Sequence, residues 1–177
     1  TGGASVTVGA VLRKRGANVV PISRSGENNY GNLNLHTDTS LLVNTTPVGM
    51  YPKNGACPVD LVLFPALQAV LDVVYNPART ALLLQAEALG IPHAGGLLML
   101  VAQAKRSAEI FLGKALPDSE IGRITALLQR QMQNIILIGM PGAGKSSVGK
   151  ALAEQLGRPY FETDRELEKA AGMPIPA

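Results

Sequence analysis

The chain has 177 residues, 46% of them hydrophobic and 16% charged, and a formal net charge of +3. That composition excludes a disordered chain, and the lack of any apolar run of roughly 18–20 residues argues against a membrane-spanning helix. A mild positive charge without a dense Lys/Arg run suits anionic small molecules better than a nucleic-acid surface.

In chain order, small residues open the sequence and the spacing of Val8, Val11 and Leu12 predicts a helix over 6–15, with those three on its buried face and Gly16 as its C-terminal cap. The start has neither an initiator Met nor a basic n-region, so it reads as a cut rather than a signal peptide. Asn18-Val19-Val20-Pro21-Ile22 reads as a short strand, and a weak helix is expected within 23–39. Leu41-Leu42-Val43-Asn44 is a continuous apolar run with a polar end, the pattern of a strand buried on both faces of a parallel sheet. A Pro/Gly-rich loop follows over 45–58. It holds the single cysteine, Cys57, which excludes an internal disulfide and fits a reducing cytoplasm.

Val70 to Tyr75 reads as a third strand. Thr80 to Leu89 is a helix closed by Gly90, and Leu97 to Leu112 is a stronger one ending at Gly113. Asp118 is placed to cap a last helix reaching Met132, with Ile121, Ile124 and Leu128 on one face. A new strand, 134–138, then begins without a Gly/Ser/Pro linker. A helix from Lys145 to Leu156, a short strand at Tyr160-Phe161 and a helix from Asp164 to Ala171 complete the chain. The alternation means α/β architecture, in two parts: 1–132 and 134–177.

Gly139-Met140-Pro141-Gly142-Ala143-Gly144-Lys145-Ser146 matches G-x-x-x-x-G-K-[ST] between an apolar strand and a helix. Glycines let backbone N–H groups curl around phosphate oxygens, and the helix N-terminus adds partial positive charge. Lys145 reaches toward the β- and γ-phosphates of ATP, and the Ser146 hydroxyl is a ligand for Mg²⁺. Asp164 falls 164 − 145 = 19 residues after the lysine, at the end of the next strand. There a carboxylate binds a substrate hydroxyl, supports the metal or caps the following helix.

This run through Lys150, with Glu162-Thr163-Asp164 and Gly172-Met173-Pro174-Ile175, resembles shikimate kinase over 134–177. The resemblance implies that Gly142, Ala143, Gly144, Lys145, Ser146 and Ser147 bind ATP. It implies Lys145 as the catalytic group, Ser146 as the Mg²⁺ ligand and Asp164 as the group on the shikimate hydroxyls. Glu162 departs from the family's usual Asp. The arginines that grip the shikimate carboxylate, and the lid over ATP, are expected beyond Ala177.

In the first part, Gly2-Gly3-Ala4-Ser5 reads as the tail of a glycine-rich dinucleotide fingerprint whose feeding strand is missing. About 20 residues on, the next strand ends at Ser23-Arg24-Ser25. An arginine at that distance suits the 2′-phosphate of NADP, as an acid suits the ribose of NAD. Together with Asn44-Thr45-Thr46-Pro47-Val48-Gly49-Met50, Asp72-Val73-Val74-Tyr75-Asn76-Pro77 and Gly95-Gly96-Leu97-Leu98-Met99-Leu100-Val101-Ala102-Gln103-Ala104, these segments resemble shikimate dehydrogenase over 1–132. The implied fold is Rossmann-like, without its first strand.

The resemblance implies that Thr1, Gly2, Gly3 and Ala4 wrap the pyrophosphate of NADP(H), and that Ser23, Arg24 and Ser25 open the segment holding the 2′-phosphate. Val73 and Gly96 flank the nicotinamide, while Tyr75 and Gln103 face the substrate. Glu27 and Asn28 stand where the family often has a second basic residue, and Leu98 where it commonly has Gly. The family's catalytic lysine and aspartate belong to a substrate domain before Thr1. His36, His93, Met50 and Met99 read as surface or packing residues.

The implied activity is NADPH-dependent reduction of 3-dehydroshikimate followed by ATP-dependent phosphorylation of shikimate in a longer parent. The chain by itself is expected to be inactive and of marginal stability. A non-catalytic NADP(H)/ATP sensor, and a P-loop kinase for another small hydroxylated substrate, stay open on the sequence alone.

Overall fold

Three short parallel strands organise the first part of the molecule. β1 (Leu41–Asn44) pairs with β2 (Ala69–Asp72), Leu41 opposite Ala69 and Asn44 opposite Asp72, and β2 pairs with β3 (His93–Ala94). Among the described residues the order is β1-β2-β3. The computed structural model describes residues 2–175, so Thr1 lies outside the described residues. By its contacts the chain divides into two compact units, Thr1–Met132 and Gln133–Ala177.

The first unit carries helices α1 (Gly3–Lys14), α2 (Ala81–Ala88), α3 (Leu97–Leu112) and α4 (Ser119–Met132). Side chains alternate along a strand, so Val70 of β2 is fully buried while its neighbour Leu71 is 39% exposed. The buried face packs on α2 through Leu82, Leu83 and Ala86, joined by Leu33, Leu61, Phe64 and Leu67. Thr80 caps α2, its hydroxyl accepting from the Leu83 N–H. Gly113 ends α3 in the left-handed conformation, the use expected of glycine there. Two short 3₁₀ turns, Leu33–His36 and Leu61–Leu63, carry core leucines.

Several expectations change. α1 begins at Gly3, not Val6, and Val11 is 50% exposed. Residues 18–22 form no strand; beyond them only an isolated bridge joins Ser23 to Asn29. A cleft of about 480 Å³ separates that segment from β1, lined by Val8 and Leu12 of α1, Val19, Ile22, Leu42 and Val43. β1 is therefore an edge strand, and of its four residues only Asn44 is buried. β2 stops at Asp72, short of Tyr75. The Asp118 carboxylate pairs with Lys105 at 2.8 Å, and its backbone carbonyl accepts from the Ile121 N–H.

The second unit holds α5 (Lys145–Leu156) and α6 (Thr163–Ala171), ended by left-handed Gly157 and Gly172. The expected strands at 134–138 and 160–161 are not formed. A strand needs a hydrogen-bonded neighbour, and Ile136 and Ile138 lie 79% and 89% exposed. Residue Glu162, not Asp164, takes the N-cap position of α6. Among the described residues no helix is long and apolar enough to cross a membrane.

Candidate functional site

The P-loop turns on Gly142 and Gly144, both at φ near +78°, where a side chain is strained. α5 starts immediately afterwards, so its first N–H groups open toward the loop. Lys145 folds back over the loop, and its ammonium donates to the Gly139 and Met140 carbonyls at 2.8 Å each. The Ser146 hydroxyl donates to Glu162 Oε1 at 2.5 Å. That bond, and then the charges of Arg165 and Lys150, hold the Glu162 carboxyl below its usual range against partial desolvation. Gly149, one turn along α5, lies where an added Cβ would sit 2.6 Å from the Tyr160 ring. That contact fixes residues 160–162 beside the start of α5, and so delivers Glu162 to Ser146. Ser147 and Asp164 are exposed. Asp164 lies in the first turn of α6, and the structure does not bring it to the loop by any hydrogen bond or ion pair among the described residues.

In the first unit the strand ends form a second constellation. Gly96 starts α3 with its N–H on the Val74 carbonyl at 3.0 Å. An added Cβ there would lie 2.0 Å from the Val73 carbonyl oxygen, so Val73 and Gly96 meet backbone to backbone. Tyr75 and Gln103 are exposed nearby in sequence to these two, on the segment after β2 and on α3. Around the strand ends lie three buried polar groups that the sequence pattern does not assign: Asn44, Asp72 and Thr80. Their signal is a polar residue closing or interrupting an apolar strand run, as in Leu41-Leu42-Val43-Asn44 and Val70-Leu71-Asp72.

Arg24 and Ser25 are exposed on the loop after residue 22, and Arg24 has no hydrogen bond or ion pair among the described residues. The loop itself is braced. Ser23 N–H donates to the Asn28 carbonyl at 3.0 Å, and the Asn29 and Asn32 side chains bond to the Gly26 and Glu27 carbonyls. A Cβ on Gly26 would fall 2.5 Å from Ser23 Oγ. His36 contacts Asn28 Oδ1 at 3.1 Å, which makes it part of this brace rather than a free surface group. Gly2 and Gly3 are exposed with nothing within 4 Å of an added Cβ, so no protein contact demands glycine there. Close approach of a ligand to the start of α1 would demand it. Arg24, Val73, Tyr75, Gly96 and Gln103 do not line the large cleft; Ser5, Asn44, Thr45 and Thr46 do. No cluster of three or more His, Cys, Asp or Glu suited to a metal exists among the described residues.

Comparison with known proteins divides the chain in the same way. The shikimate kinase family model matches residues 141–177. A shikimate kinase of Dechloromonas aromatica is 48% identical over 54 residues, covering 30% of this chain and 28% of that protein. A shikimate dehydrogenase (NADP(+)) of Thermosynechococcus vestitus is 44% identical over 83 residues, covering 45% of this chain and 29% of that protein. Among solved structures, a chorismate mutase/shikimate 5-dehydrogenase fusion protein from Clostridium acetobutylicum superposes with a TM-score of 0.69 at 28% identity. It covers 76% of this chain and 53% of that one. The chain spans about three-tenths of the length of these curated relatives. It thus spans a junction of shikimate dehydrogenase-like and shikimate kinase-like sequence, a Rossmann-like fold followed in the chain by a P-loop.

Proposed function

We propose that this chain is part of a polypeptide that reduces 3-dehydroshikimate with NADPH and then phosphorylates the resulting shikimate with Mg²⁺-ATP. The observation that carries the reading is that one chain holds both sets of residues. The strand-end constellation of Val73, Gly96 and Tyr75 stands in the dehydrogenase-like part, and a P-loop with Lys145 and Ser146 engaged stands in the kinase-like part. Relatives of the first part are named NADP(+) enzymes, and exposed Arg24 offers a planar, permanently charged donor fork for a 2′-phosphate.

When bound, NADPH supplies a hydride and Mg²⁺-ATP a phosphoryl group whose charge must be neutralised. This chain's residues hold and orient these groups. Gly2, Gly3 and Ala4 present the start of α1 to the pyrophosphate, and Val73 with Gly96 offers a flat backbone surface to the nicotinamide. Tyr75 and Gln103 orient the substrate. In the kinase-like part the N–H groups over 142–147 would hold the phosphates, and Lys145, now on the Gly139 and Met140 carbonyls, would supply positive charge to them. The Ser146 hydroxyl and Glu162 carboxylate, already 2.5 Å apart, are a hard-oxygen pair suited to Mg²⁺. Asp164 binds the hydroxyl acceptor.

The test uses the longer natural polypeptide with 3-dehydroshikimate, NADPH and Mg²⁺-ATP, following NADPH absorbance and ADP release separately. NADPH consumption, with ADP release appearing only as shikimate forms, is the expected result. Nucleotide binding without turnover of either would remove the reading. Lys145→Ala is expected to abolish ADP release, a loss of at least roughly 10²-fold, and to leave NADPH oxidation intact.

A further inference from the structure

Asp72 is only 2% exposed, among the few buried polar residues described. Alternation along β2 puts it on the same face as Val70, under the N-terminus of α2. Each of its oxygens is used. Oδ2 accepts from the Thr80 hydroxyl at 2.7 Å, and Oδ1 accepts from Asn44 Nδ2 and from the Val74 N–H, both at 3.0 Å. Asn44 spends its own Oδ1 on the Thr46 N–H and hydroxyl at 3.0 and 2.7 Å. Tyr51 N–H then donates to the Asn76 carbonyl, and Gly96 N–H to the Val74 carbonyl, both at 3.0 Å. One carboxylate therefore ties Asn44, the Val74 amide and the start of α2 together, and the backbone of 74–76 in turn takes the Gly96 and Tyr51 amides.

We infer that Asp72 is a positioning residue, which sets Val73 and Tyr75 against Gly96 by fixing the Val74 amide and the Asn44 side chain together. The inference rests on the dehydrogenase reading for its catalytic consequence, but not for its geometry. A buried carboxylate whose hydrogen bonds are all satisfied rigidifies the groups around it, and misplacing a reacting group by about 1 Å costs about 10²-fold in rate. Asp72→Asn keeps the shape but turns one acceptor into a donor facing the Thr80 hydroxyl. Thr80→Val removes that hydroxyl and spares the carboxylate, and Thr80→Ser keeps the hydroxyl.

The experiment measures kcat, KM, NADPH affinity and melting temperature for these variants in the longer polypeptide, and backbone amide exchange in the same proteins. Asp72→Asn and Thr80→Val are expected to lower kcat roughly tenfold to a hundredfold, with NADPH affinity little changed because its phosphate contacts lie elsewhere. Thr80→Ser should restore kcat. Exchange should accelerate at Thr46, Val74 and Gly96 and stay slow at Ala86 and Ile91. A lower melting temperature with kcat unchanged would overturn the inference, as would exchange accelerated evenly across the first unit. If the unmodified protein does not oxidise NADPH with 3-dehydroshikimate, the functional reading fails. The exchange pattern alone then decides whether Asp72 ties these groups together.

Discussion

A methyl group on Gly96 would collide with the Val73 carbonyl, 2.0 Å away, so Gly96→Ala must push α3 off the strand end. The expected cost is about 1–3 kcal/mol, read as a lower denaturation midpoint, with NADPH affinity falling in parallel. Arg24 makes the opposite case. Nothing in the described protein engages it, so Arg24→Ala should leave stability unchanged. It should weaken NADPH by roughly tenfold to a hundredfold, as loss of charged hydrogen bonds worth about 1.5–3 kcal/mol implies, and leave NADH unaffected. Fluorescence titration with both cofactors tests this. Such residues differ in how legible they are. Gly142, Gly144, Lys145 and Ser146 are readable because a contiguous turn imposes their spacing. Asp72 and Glu162 are not, because the Asn44 partner of the one and the Ser146 partner of the other lie 28 and 16 residues away, and only the folded chain brings them together.

At the level of elements, α3 and α4 are fastened by charge. Lys105 sits between Glu109 and Asp118 at 2.8 Å to each, and Glu109 also accepts from the Leu116 N–H at 2.9 Å. Lys105 first, then that amide and Arg106, hold the Glu109 carboxyl at about 2, against an ordinary 4.5. A depressed carboxylate contributes stability that is present above its unfolded value and lost as pH falls through the folded one. Helical circular dichroism is therefore expected to weaken between pH 4.5 and about 2, and Glu109→Gln should flatten that dependence. The helices themselves are largely legible. α3 spans the residues its periodicity predicts, and α5 likewise, because a helix satisfies its own hydrogen bonds. The strands at 18–22, 134–138 and 160–161 have the right composition and no ladder, because a strand is completed by its neighbours.

On the scale of the molecule, the α/β alternation and the parallel sheet follow from the sequence pattern, while the cleft beside β1 does not, since an opening has no residues of its own. Leu42 and Val43 face into it, and Ile136, Ile138 and Phe161 of the second unit stand more than 70% exposed. Exposed apolar surface and an unpaired strand edge favour association. Sedimentation velocity of the isolated chain should show species that grow with concentration, and a thermal scan should lack a sharp monomeric transition. A monomer at all concentrations with one cooperative melt would contradict both. The two sides of the cleft also differ in kind, which sets what such association can build. Two β1 edges related by a two-fold axis are self-complementary, pair antiparallel and close at a dimer. Residues 18–22 of one copy set beside β1 of the next make a head-to-tail contact that leaves the same two surfaces free at either end, and so has no size limit. Whether light scattering levels off at a dimer or climbs without end therefore reports which symmetry the cleft imposes.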